Sequence, residues 1–142
     1  MNAARLYTPQ VLAAAVSLAH YPLADDLALR GEARSVSCGS TLAIGLALDD
    51  DDAVTRVGMS AQACAIGQAS AAVFVQGAAG RTVAQITASA SAIRSWLKGD
   101  GDMPDWPGLT LIEPARAYPA RHGAILLAWD AAVKALGAAT EE

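Results

Sequence analysis

Thr41-Leu42-Ala43-Ile44-Gly45-Leu46-Ala47-Leu48, then Asp49-Asp50-Asp51-Asp52, then Ala53-Val54-Thr55-Arg56-Val57-Gly58-Met59: this stretch decides the fold. In its first part Leu42, Ile44, Leu46 and Leu48 alternate with Thr41, Ala43, Gly45 and Ala47, the period of a strand with one heavily buried face. In its last part Ala53, Thr55, Val57 and Met59 fall on one side and Val54, Arg56 and Gly58 on the other. The aspartates between them read as a solvated turn, so 41–48 and 53–59 form an antiparallel hairpin. A calcium loop is the sharper alternative, but its spaced ligands and turn glycine are missing from 49–52.

Downstream, the extended segment gives way to a helix at Ser60-Ala61-Gln62-Ala63-Cys64-Ala65-Ile66. Ile66, Ala69, Val73 and Gln76 lie on one helical line, and the helix stops near Gly77. Cys64 then stands at or just before the first turn. Backbone N–H groups and the positive end of the helix dipole face such a thiol and favour its thiolate, the form that ligates metals and attacks electrophilic sulfur. The same cysteine also reads as a small buried hydrophobe, which is how most free cysteines behave.

The next helix opens on a capping box, Thr82-Val83-Ala84-Gln85, and buries Val83, Ile86, Ala90, Ile93 and Leu97 before Lys98-Gly99 closes it. Gly77-Ala78-Ala79-Gly80-Arg81-Thr82 is no phosphate loop, because it follows a helix and lacks the lysine. Asp100 to Pro107 is a loop, and Leu109 to Tyr118 holds a short helix interrupted by Pro114. Pro119 introduces a last helix with the stripe Ile125, Trp129, Ala132 and Leu136, ended by Gly137; Ala138 to Glu142 is a frayed tail.

Upstream, Thr8-Pro9 is an N-cap followed by proline at the first helical position. Val11, Leu12, Ala15, Val16 and Ala19 form that helix's apolar face, and His20-Tyr21-Pro22 ends it. Leu27 to Ser35 is a first, polar strand, and Val36-Ser37-Cys38-Gly39-Ser40 turns into the hairpin.

The order is helix, three strands, then helices: an α+β fold with a three-stranded antiparallel sheet, one domain over 1–142. Its 142 residues suffice for a single core, 54% are hydrophobic and the net charge is −4. No basic stripe invites nucleic acid. No apolar run is long enough to span a bilayer, and the N-terminus lacks a secretory pattern, so the expected location is cytoplasmic. Two cysteines make no disulfide framework. Cys38 and Cys64 match no zinc-finger spacing.

Taken in order, the motifs resemble the U-type iron–sulfur cluster assembly scaffold family (NifU, IscU and SufU proteins), and most closely its SufU-like branch. Cys38-Gly39-Ser40 is similar to the family's Cys-Gly-Asp turn. Ala63-Cys64-Ala65-Ile66 with Ala69-Ser70-Ala71 is similar to its second cysteine segment, and Trp96-Leu97-Lys98-Gly99 to its Lys-Gly helix end. Tyr118-Pro119-Ala120-Arg121 followed by Leu127-Ala128-Trp129 resembles the SufU-like Pro-x-Arg-x-x-Cys-x-x-Leu-x-Trp, and Leu109 to Tyr118 sits where that branch carries an extra segment.

The resemblance implies a SufE/NifU-like fold and a site where three cysteines and an aspartate hold zinc or a nascent iron–sulfur cluster, supplied with sulfur by a cysteine desulfurase. Two of those four positions differ here: Ser40 replaces the aspartate and Ala124 the third cysteine. His122 is a possible substitute, but a two-residue step turns it to another helix face. The expected metal ligands reduce to Cys38 and Cys64, so zinc or a cluster should bind weakly or not at all. Cys38, in the Cys-Gly turn, is the expected persulfide acceptor. The functional expectation is an assembly-scaffold-like, sulfur-accepting protein with a degenerate metal site. The alternative is a diverged paralogue that binds no metal and serves as a protein-binding or regulatory module for a desulfurase or the assembly machinery. No base, nucleophile–histidine pair or cofactor loop marks an enzyme, so a scaffold or sulfur carrier is expected instead of a catalyst.

Overall fold

The computed structural model describes residues 6–36 and 39–140, apart from the side chains of 138–140. Thr8 Oγ1 accepts the N–H of Val11 at 3.1 Å, and Pro9 follows as the first residue of α1 (Pro9–Ser17). A 3₁₀ turn over Leu18–His20 and the extended residues beyond it lead to β1 (Leu29–Arg34). β2 (Thr41–Leu48) and β3 (Val54–Gln62) complete an antiparallel sheet of order β1-β2-β3. α2 (Ala65–Ala78), α3 (Val83–Leu97) and α4 (His122–Thr140) follow. Between the last two run short 3₁₀ turns over Leu109–Leu111, Glu113–Ala117 and Pro119–Arg121.

The hairpin forms as its pattern dictates, with the aspartates as its turn. Asp49 Oδ1 accepts the backbone N–H groups of Asp51 (2.9 Å) and Ala53 (3.0 Å), an arrangement that aspartate side chains favour in turns. Strict alternation fails in β3, however. Ala47 pairs with Arg56 but Leu48 pairs with Val54, which leaves Thr55 as a bulge. The extra residue brings Val54 onto the core face together with Met59, where alternation alone sets the two on opposite sides. The strand also continues beyond Met59 to Gln62.

α4 packs across the sheet beneath β1. The approach is so close that a Cβ on Gly31 would stand 2.2 Å from the Ala131 carbonyl oxygen. α2 lies at the centre, buried on nearly every side, with Gln76 as its exposed position. A single stripe through Gln76 is therefore corrected: a helix apolar all round is an interior helix. α1 corrects a second expectation. Val11 is buried, but Leu12 and Val16 are 46% and 75% exposed and Ala19 is exposed. The alanines of α1 let it settle on α2 by a narrower face than its apolar residues suggest.

α3 opens on the capping box, with Thr82 and Gln85 each bonding the other's backbone N–H. It ends on Gly99 at φ +84°, whose N–H reaches the Trp96 carbonyl while that of Asp100 reaches Ser95. The loop after it is pinned by Trp106, which stacks on Phe74 (5.5 Å) and meets Trp129 edge-on (5.3 Å). Its indole N–H donates to the Val73 carbonyl at 2.9 Å. Each such ring pair contributes about 1 kcal/mol beyond the area it buries. Gly77 makes room, since a Cβ there would lie 2.4 Å from the indole nitrogen. α4 runs through Gly137 to Thr140, past the expected stop. No helix among the described residues is long and apolar enough to cross a membrane.

Candidate functional site

β3 delivers the chain to Cys64, which caps α2 with extended backbone (φ −64°, ψ 168°) while its carbonyl accepts the Gln68 N–H at 2.9 Å. The Gln68 side chain donates to the Ala63 carbonyl at 2.9 Å and secures the turn. The Cys64 side chain makes no capping hydrogen bond, and the residue is half-buried with a free thiol. The sequence thus places this cysteine correctly at a strand-to-helix junction.

Ser40 sits at the same end of the sheet. Its carbonyl accepts the Ser35 N–H at 2.8 Å, and the Gly39 N–H donates to the Ser35 carbonyl at 2.8 Å, closing the β1–β2 connection. Gly39 has φ +70°, a conformation that glycine adopts without the cost of a Cβ clash. Thr41 pairs with Gln62, so the start of β2 lies beside the end of β3, two residues from Cys64. Ser40 itself is only 6% exposed. Cys38 lies outside the described residues, between Val36 and Gly39.

The first turn of α4 comes to the first turn of α2. A Cβ on Gly67 would stand 2.9 Å from the Ala63 Cβ and 3.3 Å from the Ala124 Cβ. The Ser70 hydroxyl fixes this contact by donating to the Ile125 carbonyl at 2.7 Å, fully buried. Position 124 therefore faces the helix that Cys64 caps, and what it presents is a methyl group, 1% exposed. His122, the first residue of α4, has Nε2 2.7 Å from the Arg116 carbonyl oxygen, a bond that fixes Nε2 as the protonated nitrogen.

These positions assemble one end of a site but not a donor set. Serine is a poor ligand and a methyl is none, and the described residues hold no group of three or more His, Cys, Asp or Glu side chains able to take a metal ion. Among the described residues, then, Cys64 alone of the expected ligands is a thiolate donor, short of what a four-ligand zinc or cluster site needs. Sequence reasoning missed one contact nearby: Arg121 Nη2 reaches the Tyr7 hydroxyl at 3.4 Å and ties the N-terminal segment to the turn before α4. Arg121 stands inside a motif, but nothing local pairs positions so far apart in the chain.

Solved structures share this architecture over nearly the whole chain. The N-terminal part of a nitrogen-fixing NifU-like protein from Brucella abortus superposes with a TM-score of 0.87 at 29% identity, covering 96% of each chain. A protein assigned as an iron–sulfur cluster assembly scaffold for the SUF system (FiSufU), from Fervidobacterium islandicum AW-1, gives 0.72 at 18% identity, covering 92% of this chain and 96% of that one. No family model matches the chain, and no curated protein matches it in sequence.

Proposed function

We propose that this chain, which belongs by fold to the U-type iron–sulfur cluster assembly scaffold family, is a scaffold-like sulfur acceptor of the SufU-like branch whose metal site is degenerate. The observation that carries the reading is the Ala124 methyl packed against Gly67, at the position where the family resemblance expects a third thiolate beside Cys64. Ser40, buried at the neighbouring turn, stands for the carboxylate. On this reading the fold is kept and two of the four donors are replaced.

Sulfur acceptance needs fewer groups than metal binding. The Cys38 thiolate attacks the terminal sulfur of a persulfide on a cysteine desulfurase. The donor's S–S bond breaks, its thiolate leaves, and Cys38 carries the new S–SH; no net oxidation occurs. Cys64 then serves as the second thiol that receives or holds this sulfur.

The test is to incubate the protein with a cysteine desulfurase and free cysteine and to weigh the intact chain. One added sulfur atom is expected, mapped to Cys38 and lost in Cys38→Ser. A Cys38→Ser variant that still gains the sulfur would refute Cys38 as acceptor. Formation of a desulfurase complex with no sulfur on either cysteine would favour the second reading, a protein-binding module without the chemistry. That reading draws its support from the same two replaced positions.

A further inference from the structure

The two outer edges of the sheet are treated differently. β3's edge is covered: the Met59 N–H donates to the Tyr21 carbonyl at 2.9 Å, and Pro22 bridges to Met59. Among the described residues, β1 pairs with β2 alone. Its register fixes which backbone groups are spare. The Ser35 N–H points inward to Ser40, so in an antiparallel ladder residues 33, 31 and 29 also point inward, while the N–H and C=O groups of Arg34, Glu32 and Arg30 point out.

Beside this edge lies a trough. A cavity of about 380 Å³ runs between β1 (Ala33, Arg34) and α3 (Ala90, Arg94), floored by Val133 and Lys134 of α4. It meets a second cavity of about 470 Å³ on the sheet face, and Ala33, Arg34 and Lys134 line both. Arg34 and Lys134 are exposed, and neither forms an ion pair among the described residues. Arg94 is neutralised by Asp130 at 2.9 Å, and Glu32 is the acidic side chain at the rim of the face. In a chain of net charge −4, two free cations at the junction mark a local reversal of sign.

We infer that the β1 edge takes up an extended, acidic peptide segment of a partner protein as a fourth strand. A strand added at the usual spacing of about 4.8 Å would lie in the trough. Its backbone would bond the outward groups of Glu32 and Arg34, its inward side chains would rest on Ala90 and Val133, and its carboxylates would meet Arg34 and Lys134. Main-chain bonds supply affinity in this mode and side chains supply selection.

The probe is a short blocked peptide of alternating glutamate and valine, titrated into the isotope-labelled protein, with a lysine–valine peptide of equal length as control. Amide exchange should slow at Glu32 and Arg34. Arg34→Glu and Lys134→Glu should each weaken binding by about tenfold, and the lysine peptide should not bind. Glu32→Pro removes an outward N–H that the fold does not use, so it should melt like the wild type and lose binding. Equal binding of the lysine peptide, protection elsewhere than β1, or full binding by a folded Glu32→Pro variant would overturn the inference. Should Glu32→Pro fail to fold, unchanged affinity in both charge variants overturns it alone.

Discussion

Ser70 Oγ lies 2.7 Å from the Ile125 carbonyl oxygen and donates to it from a fully buried position. The bond joins the second turn of α2 to the first turn of α4, one residue from Ala124, and so holds both helix starts in register at the end of the domain where Cys64 sits. Ser70→Ala removes the donor without removing volume and should cost about 1 kcal/mol. Urea unfolding of the variant checks this, and an unchanged midpoint would show that α2 and α4 are aligned by apolar packing instead.

Gly31→Ala should be far more damaging. The added methyl would meet the Ala131 carbonyl oxygen at 2.2 Å and the Ala135 nitrogen at 2.7 Å, both backbone atoms of α4 that cannot rotate away. Overpacking of this kind costs about 3 kcal/mol when the backbone must move. The same substitution at Gly101, where nothing lies within 4 Å, should be close to neutral. Thermal melts of the two variants make the comparison.

These two elements also show what the sequence could and could not reveal. The β2 alternation, the aspartate turn, the α3 capping box and the Cys64 junction are local patterns, and all four are legible in the chain. The Thr55 bulge is not, because it arises where β2 and β3 pair and neither strand alone specifies it. The exposed Leu12 and Val16 mislead for a related reason: in an alanine-rich helix the packed face is chosen by the neighbour's shape, not by the largest side chains. At the site, Ser40 and Ala124 draw notice only through the family resemblance, as positions where the chain differs from its pattern. Nothing in the residues themselves says that they stand near Cys64.

The Asp26 carboxyl is held below its usual range, first by the hydrogen bonds from Arg56 at 2.6 and 3.3 Å, against a smaller opposing effect of desolvation. A carboxylate lowered in the folded state contributes stability above its unfolded pKa of about 3.9 and loses it as pH falls through the folded value. Asp26→Asn should therefore flatten the stability profile slightly below about pH 4 and leave it parallel to the wild type near neutrality. The pair is solvent-exposed, so the difference should be small and should shrink further in salt. Denaturant melts across that pH range test the sign.

Protein purified without added metal should hold well under one zinc or iron per chain, because two thiolates replace too little of the ion's hydration. Elemental analysis after gel filtration measures this. A full equivalent retained on the column would mean that the donor set is larger than Cys38 and Cys64, and His122, freed from Arg116, would be the first residue to examine.

The most direct test is a zinc competition titration on the wild type, Ser40→Asp, Ala124→Cys and the double variant. If positions 40 and 124 converge on the cysteines, the double variant regains three thiolates and a carboxylate. Its zinc affinity should then rise by well over the 10–100-fold that loss of a mere supporting contact typically costs, and each single variant should gain less than the pair. Its melting temperature should also become zinc-dependent, since an ion that binds only the folded state stabilises it by mass action. A double variant that binds zinc no more tightly than the wild type would contradict the account, because position 124 would then not face the cysteine site.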